Sequence, residues 1–198
     1  TFNTQSSFPV AVTSSTGRIW MDRNLGASRV ATAYNDSAAY GDYYQWGRGT
    51  DGHEKRTSFN STTLSSSDTP GHGDFILPLS SPYDWRNPQN DDLWQGVSGV
   101  NNPCPTGFRL PTIAEWEEER QTWSTNDQAG AFASPLKLVS AGSHNFINGM
   151  VAGEGSSGYY WSSSAYGPGS SYIGIRSDST SSSESARAFG ISVRCIQD

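Results

Sequence analysis

Apolar and polar positions alternate most cleanly near the end of the chain. In ARAFGISVRCIQD (residues 186–198), Phe189, Ile191, Val193 and Cys195 share one face, with Ser192 and Arg194 on the other. This period of two predicts a strand. Ile19 and Trp20 predict a second, short strand that breaks at the turn signal Asn24-Leu25-Gly26. Ala39, Tyr43 and Trp46 fall at i, i+4 and i+7, the spacing of one helical face, and Gly47 and Gly49 stop it. Ile113, Trp116, Arg120 and Trp123 predict another helix with Trp116 and Trp123 inward. It opens on a capping box, Thr112 with Glu115 three residues on. Glu115, Glu117 and Glu118 suit the positive helix end and read as a solvated acidic face. Leu136 and Leu138 within SPLKLVSAG, and then GYYWSSSAY and YIGIRS, read as further strands.

Residues 50–102 carry no sustained period and many Pro, Gly, Asn and Asp. So long an irregular insert calls for a functional or packing role, and Trp85 and Trp94 predict that it packs down. No internal repeat and no linker divides the 198 residues, so one domain is expected over 1–198. Seven Trp in a chain of 34% hydrophobic content point to a folded, loop-rich protein with an aromatic core.

The net charge of −6 without a Lys/Arg cluster argues against nucleic acid as a partner. No apolar run reaches 18 residues, so no membrane insertion is expected. The first residues show no basic region followed by an apolar one, so no leader is expected in them. Cys104 and Cys195 are either two free buried thiols or one long-range disulfide. Their even number without a partner motif favours the bridge, which would place the protein in an oxidising location: extracellular, cell-surface or on a virion exterior.

PCPTGFRLPTIAEW (103–116), GYYWSSS (158–164) and ARAFGISVRCIQD, preceded by RIWMDRNLGAS and AYGDYYQWG, resemble the Fibrobacter succinogenes major paralogous domain. The resemblance spans most of the chain but leaves 50–102 and 164–185 unfixed. It implies an α+β, C-type lectin-like fold of the type shared with formylglycine-generating enzymes, with two helices flanking small antiparallel sheets, long irregular loops and adjacent chain ends. The helix at Thr112 would be its second helix, and the strand through Cys195 would be central or beside the N-terminal strand. Variable proteins of diversity-generating retroelements are similar to this fold and carry hypervariable positions towards the C-terminus. Template adenines are mutagenised there, which makes Tyr, Ser, Gly, Asp, Asn, Arg and Ile reachable.

Thirteen of the thirty residues from Ser156 to Ser185 are serine. Serine, glycine and tyrosine make adaptable binding surfaces, because tyrosine offers broad contact at small entropy cost. The ordinary alternative is a set of solvated hairpin loops. The expected binding face covers 145–185, with Tyr166, Gly167, Ser170, Ser171, Tyr172 and Arg176 as contacts and Asn145, Phe146 and Asn148 adjacent. Trp161 is assigned to the scaffold, with Ser162 and Ser163 bonding to backbone. His53, His72 and His144 read as surface residues rather than metal ligands. No cofactor is expected. A structural calcium is the remaining alternative, for which NPQNDD (87–92) clusters oxygens without regular spacing. No nucleophile motif is convincing, so a non-enzymatic binder of a protein or glycan on another cell or particle is expected. A structural or adhesin module and an oxidase-like enzyme are the alternatives.

Overall fold

The computed structural model describes residues 10–198. The chain is α+β, with two α-helices and several small sheets among the described residues. Strands β1 (Ala11–Thr13), β2 (Ile19–Met21), β3 (Tyr44–Gln45), β4 (Asn60–Ser61), β5 (Phe75–Ile76) and β6 (Phe108–Arg109) precede helices α1 (Ile113–Arg120) and α2 (Gln128–Ala133). Then come β7 (Ser143–His144), β8 (Val151–Ala152), β9 (Gly158–Tyr166), β10 (Gly169–Ile175), β11 (Thr180–Ala186), β12 (Gly190–Ile191) and β13 (Ile196–Gln197).

The C-terminal segment serves two sheets. β12 lies between β3 and β7, and β13 lies between β2 and β6, which brings the two ends of the described chain side by side. Ile191, Val193 and Cys195 enter one apolar cluster, as their alternation predicts. The opposite face is buried too. Ser192 is sealed, and Arg194 donates to Asn24 Oδ1, Met21 O and Leu136 O. Burial lowers the Arg194 pKa to about 10.

Six of the seven tryptophans are fully buried and Trp123 nearly so. At about 25 cal/mol per Å², an aromatic side chain hiding 150–250 Å² contributes about 4–6 kcal/mol before entropy. Five indoles also donate to backbone carbonyls: Trp46 to Ser162, Trp85 to Trp46, Trp94 to Arg48 and Asn101, Trp116 to Trp161, and Trp161 to Tyr44. Irregular backbone has no ladder to satisfy its carbonyls, and these indoles supply donors in its place. Cys104 and Cys195 are bridged, closing a sequence separation of 91.

The insert packs down as Trp85 and Trp94 predict, burying Ile76 and Leu93 with them. Three predicted elements are corrected. The single strand expected through Phe189 and Cys195 is split into β12 and β13, with residues 192–195 in neither. Instead of a helix through Ala39, Tyr43 and Trp46 there is a 3-10 turn (Ser37–Ala39) followed by β3. Between them, Gly41 at φ +71° lies so close to Leu25 O that a Cβ would stand 2.2 Å away. Everything from Tyr43 to Gly47 is buried, so no amphipathic face exists there. Ser134–Gly142 is not a strand either. Lys137 adopts φ 49°, and the Val139 amide and carbonyl are both taken by the Tyr160 hydroxyl.

The capping box at Thr112 is formed, and α1 is the first of the two α-helices among the described residues, not the second. Its acidic face is only partly solvated: Glu115 is buried against Arg109 and Arg18, and Glu119 is fully buried. Burial pushes the Glu115 carboxyl up, but hydrogen bonds from Arg109 and the Thr112 amide outweigh it and hold the pKa at about 2.

Candidate recognition face

Strands β9, β10 and β11 form an antiparallel meander in the order β11-β10-β9. Side-chain alternation gives it two dissimilar faces. Ile173, Ile175 and Tyr160 enter the cluster that also holds Trp20 and Trp116 of α1. Tyr159, Tyr172 and Gly174 point the other way.

The pairing of β9 with β10 shifts register between Ser170 and Tyr172, and residues 162–164 leave the ladder. Their groups find other partners. Ser162 O accepts from Trp46, Ser163 N donates to Pro111 O, Ser163 O accepts from Gln95, and Ser164 Oγ receives the Ile113 amide at the start of α1. Ser162 Oγ donates to Ser171 O at 2.7 Å. The triple serine is therefore a bulge in which the hydroxyls of Ser162 and Ser164, but not that of Ser163 as expected, close backbone hydrogen bonds, Ser163 contributing only its main chain.

The outward face carries a continuous run of partly exposed aromatic rings. Tyr83 and Phe146 have centroids 5.4 Å apart, Phe146 and Phe189 6.2 Å, Phe189 and Tyr159 6.1 Å, and Tyr159 and Tyr172 5.9 Å. Tyr172 closes the run edge-on against buried Trp161. These spacings fit edge-to-face and tilted aromatic pairs, which add about 0.5–1.5 kcal/mol each to area burial. Tyr83 holds a left-handed backbone at φ 58°, anchored by the Ala188 amide on its carbonyl. Ile147 and Met150, exposed in the turn between β7 and β8, extend the apolar edge beside Phe146.

Two cavities open along β11. One of about 330 Å³ is lined by Pro82, Tyr166, Pro168, Gly169 and Glu184 to Ala186. The other, of about 130 Å³, is lined by Tyr159, Tyr172, Gly174, Arg176, Ser179, Ser181 and Ser183.

The expected contacts fare unevenly. Tyr166 is 60% exposed at the β9–β10 hairpin, followed by Gly167 at φ +51°. Arg176 and Asn148 are exposed, while Tyr172, Asn145 and Phe146 are half-buried. Ser170 and Ser171 are buried inside the sheet, Ser170 Oγ donating to Gly169 O, so their side chains are not on this surface. Both lie in the central strand of the meander opposite the β9 bulge, and no local sequence signal announces their burial. Tyr83, Tyr159 and Phe189 complete the ring run although the sequence assigns Phe189 to the apolar face of the last strand and gives the other two no role, because residues so far apart meet only through the fold.

The hairpin rests on the insert. Gln89 Nε2 donates to Pro168 O at 2.8 Å and to Asp84 Oδ2 at 2.9 Å, and buried Arg187 donates to Gly169 O and Asn90 O. In NPQNDD, Asp91 pairs with Arg187, and Asn90 Oδ1 accepts the Asp92 amide.

Two histidines are corrected from surface to interior: His53 is fully buried and His144 nearly so, stacked 3.8 Å from Phe75. Asp51, His53 and Glu54 bring three potential metal-binding atoms together. Both imidazole nitrogens are already engaged, Nδ1 with Asp51 Oδ1 at 2.6 Å and Nε2 accepting the Gln45 amide at 3.0 Å. Burial lowers the His53 pKa to about 4, so the ring is neutral near pH 7. The cluster ties the start of the insert to β3.

Among the described residues, no helix is long and apolar enough to cross a membrane. No protein-family model, curated protein or solved structure matches the chain, so its functional reading rests on this geometry.

Proposed function

We propose that the chain is a non-enzymatic recognition module, one domain of C-type lectin-like architecture that displays a changeable face to a protein target on another cell or particle. The observation that carries this reading is the run of rings from Tyr83 to Tyr172, half-exposed and flanked by two cavities. Monomeric proteins seldom expose contiguous apolar surface without a partner for it. Aromatic anchors rimmed by small hydrogen-bonding residues are how adaptable binding surfaces gain contact cheaply. The serine bulge and the fully buried Trp161 behind them supply a rigid support. The Cys104–Cys195 bridge supports an extracellular, cell-surface or virion-exterior location. It also weighs against an oxidase-like activity, which needs a thiolate.

The test is capture from arrays of cell-surface proteins and glycans with the wild-type chain and with Tyr83→Ala, Tyr166→Ala and Tyr172→Ala. A partner retained by the wild type and lost by at least two variants of unchanged melting temperature is expected. Capture unaffected by all three, or none beyond background, would favour the structural or adhesin module instead.

A further inference from the structure

The smaller cavity on β10 and β11 differs from the rest of the face. Its floor is Gly174, which lies between the rings of Tyr159 and Tyr172. A Cβ built on Gly174 would meet Tyr172 at 3.5 Å and Tyr159 at 3.8 Å, ordinary contact distances, so the missing side chain is what leaves the space open. The wall on β11 presents the hydroxyls of Ser181 and Ser183, whereas Ser179 already donates to Asp178. At the rim stands Arg176. Its backbone is fixed, with N donating to Ser179 O and O accepting from Gln128, but its guanidinium makes no hydrogen bond or ion pair among the described residues. Every other arginine near this face has a carboxylate partner: Arg187 holds Asp91, and Arg86 holds Asp68.

We propose that this cavity receives the carboxylate of an aspartate or glutamate side chain from a protein partner. The proposal rests on reading the face as a recognition surface and names the group that enters its polar end. An unpaired guanidinium beside neutral hydroxyl donors suits an anion, since hydrogen bonds to a charged acceptor are about twice as strong as neutral ones. A single arginine suits a monoanion. Phosphorylated motifs are met by arginine clusters. Size favours a side chain over a sugar. At about 130 Å³ the space lies well below the roughly 300–1,000 Å³ of sites that enclose whole small ligands.

The neighbouring cavity, with Pro82, Tyr166, Pro168 and Ala186 on its walls, is more apolar and larger. On β11, Ser183 lines the smaller cavity and Ser185 and Ala186 the larger, two to three residues or about 7–10 Å along the strand. The partner therefore presents an acidic and an apolar side chain at that separation.

The test uses the whole ¹⁵N-labelled chain. It is titrated with sodium acetate against sodium chloride at matched ionic strength. The capped peptide acetyl-Glu-Ala-Ala-Leu-amide, its Gln counterpart and N-acetylneuraminic acid follow. Shifts are read at the Gly174, Ser181 and Ser183 amides and at Arg176 Nε. Acetate and the Glu peptide are expected to give saturable shifts there, and chloride and the Gln peptide none. Arg176→Gln and the cavity-filling Gly174→Val should each weaken binding about tenfold or more without changing the melting temperature.

No acetate-specific shift, or one that survives both variants, overturns the carboxylate site. Binding of N-acetylneuraminic acid with the Glu peptide silent overturns the protein assignment in favour of an acidic glycan. Peptide shifts confined to Tyr83, Phe146 and Tyr166 overturn the carboxylate site while leaving the recognition face intact. Binding in the cavity together with partner capture indifferent to the ring variants sinks the recognition face alone.

Discussion

The guanidinium of Arg187 lies 4.6 Å from the centre of the Trp46 ring with its side chain almost wholly shielded from water. From there it reaches Gly169 O in the β9–β10 hairpin, Asn90 O and Asp91 in the insert, and stands 3.8 Å from buried Asp84. One cation thus joins the scaffold tryptophan, the irregular insert and the exposed hairpin.

Replacing Arg187 with Met keeps the bulk and removes the charge. Asp84, whose pKa burial already pushes up, then loses its buried counter-charge. Breaking such a pair costs about 3–5 kcal/mol. Denaturant melts should show a loss of that order, and exchange at the Tyr166, Gly167 and Gly169 amides should quicken. Unchanged stability would mean that the insert is held by its apolar contacts alone.

Thr112→Ala removes the hydroxyl that accepts the Glu115 amide at 3.2 Å. Loss of an N-cap of this kind costs about 1 kcal/mol, measurable as a lowered denaturation midpoint. Glu115 keeps its bonds to Arg109, so a Glu115→Ala variant should cost more.

Glu119 is fully buried, and among the described residues neither carboxylate oxygen has a hydrogen bond. Burial raises its pKa, only partly offset by nearby Ser14 and Trp123. An acid whose folded pKa lies above its unfolded value favours the fold while protonated. Its contribution is complete below the unfolded pKa and is lost as pH rises through the folded one. Glu119→Gln should therefore stabilise the protein at neutral pH by about 1–3 kcal/mol and flatten that part of its stability–pH profile. A Gln variant that is less stable at pH 7 would disprove the assignment.

Reducing the Cys104–Cys195 bridge, or changing both residues to Ala, frees a loop of 91 residues. The loop-closure model puts the loss at about 4–5 kcal/mol. Reduced and oxidised melts compare directly, and a difference below about 1 kcal/mol would mean that the indole-to-carbonyl bonds hold the same segments unaided.

If the face is diversified, the adjacent nucleotide sequence should contain a near-copy of the 3′ coding region, differing chiefly at adenines, next to a reverse transcriptase. Differences should fall at the outward positions Tyr166, Tyr172, Arg176, Ser181 and Ser183. Trp161, Ile173 and Ile175, which face the core, should be constant. Substitutions spread equally over both sets would refute the division.

Local chemistry was enough for several features. The capping box at Thr112 depends on two side chains and one turn of backbone, so spacing of three decides it. The alternation through Phe189, Ile191, Val193 and Cys195 reports a face, because successive residues of extended chain point in opposite directions even where the strand is interrupted. The tryptophans of the insert foretold packing, since rings of that size are costly to leave in water. What the pattern could not express were features decided by distant partners. A helical spacing at Ala39, Tyr43 and Trp46 gave way because Leu25 O crowds Gly41 and the segment is buried on every side. The leucines of 134–142 lie in irregular chain because the Tyr160 hydroxyl takes both backbone groups of Val139. Ser170 and Ser171 are buried opposite the β9 bulge, and the rings of Tyr83, Phe146, Tyr159, Tyr172 and Phe189 meet from five segments. Periodicity carries only near-neighbour geometry, whereas the face is made by contacts whose sequence separation runs to a hundred residues.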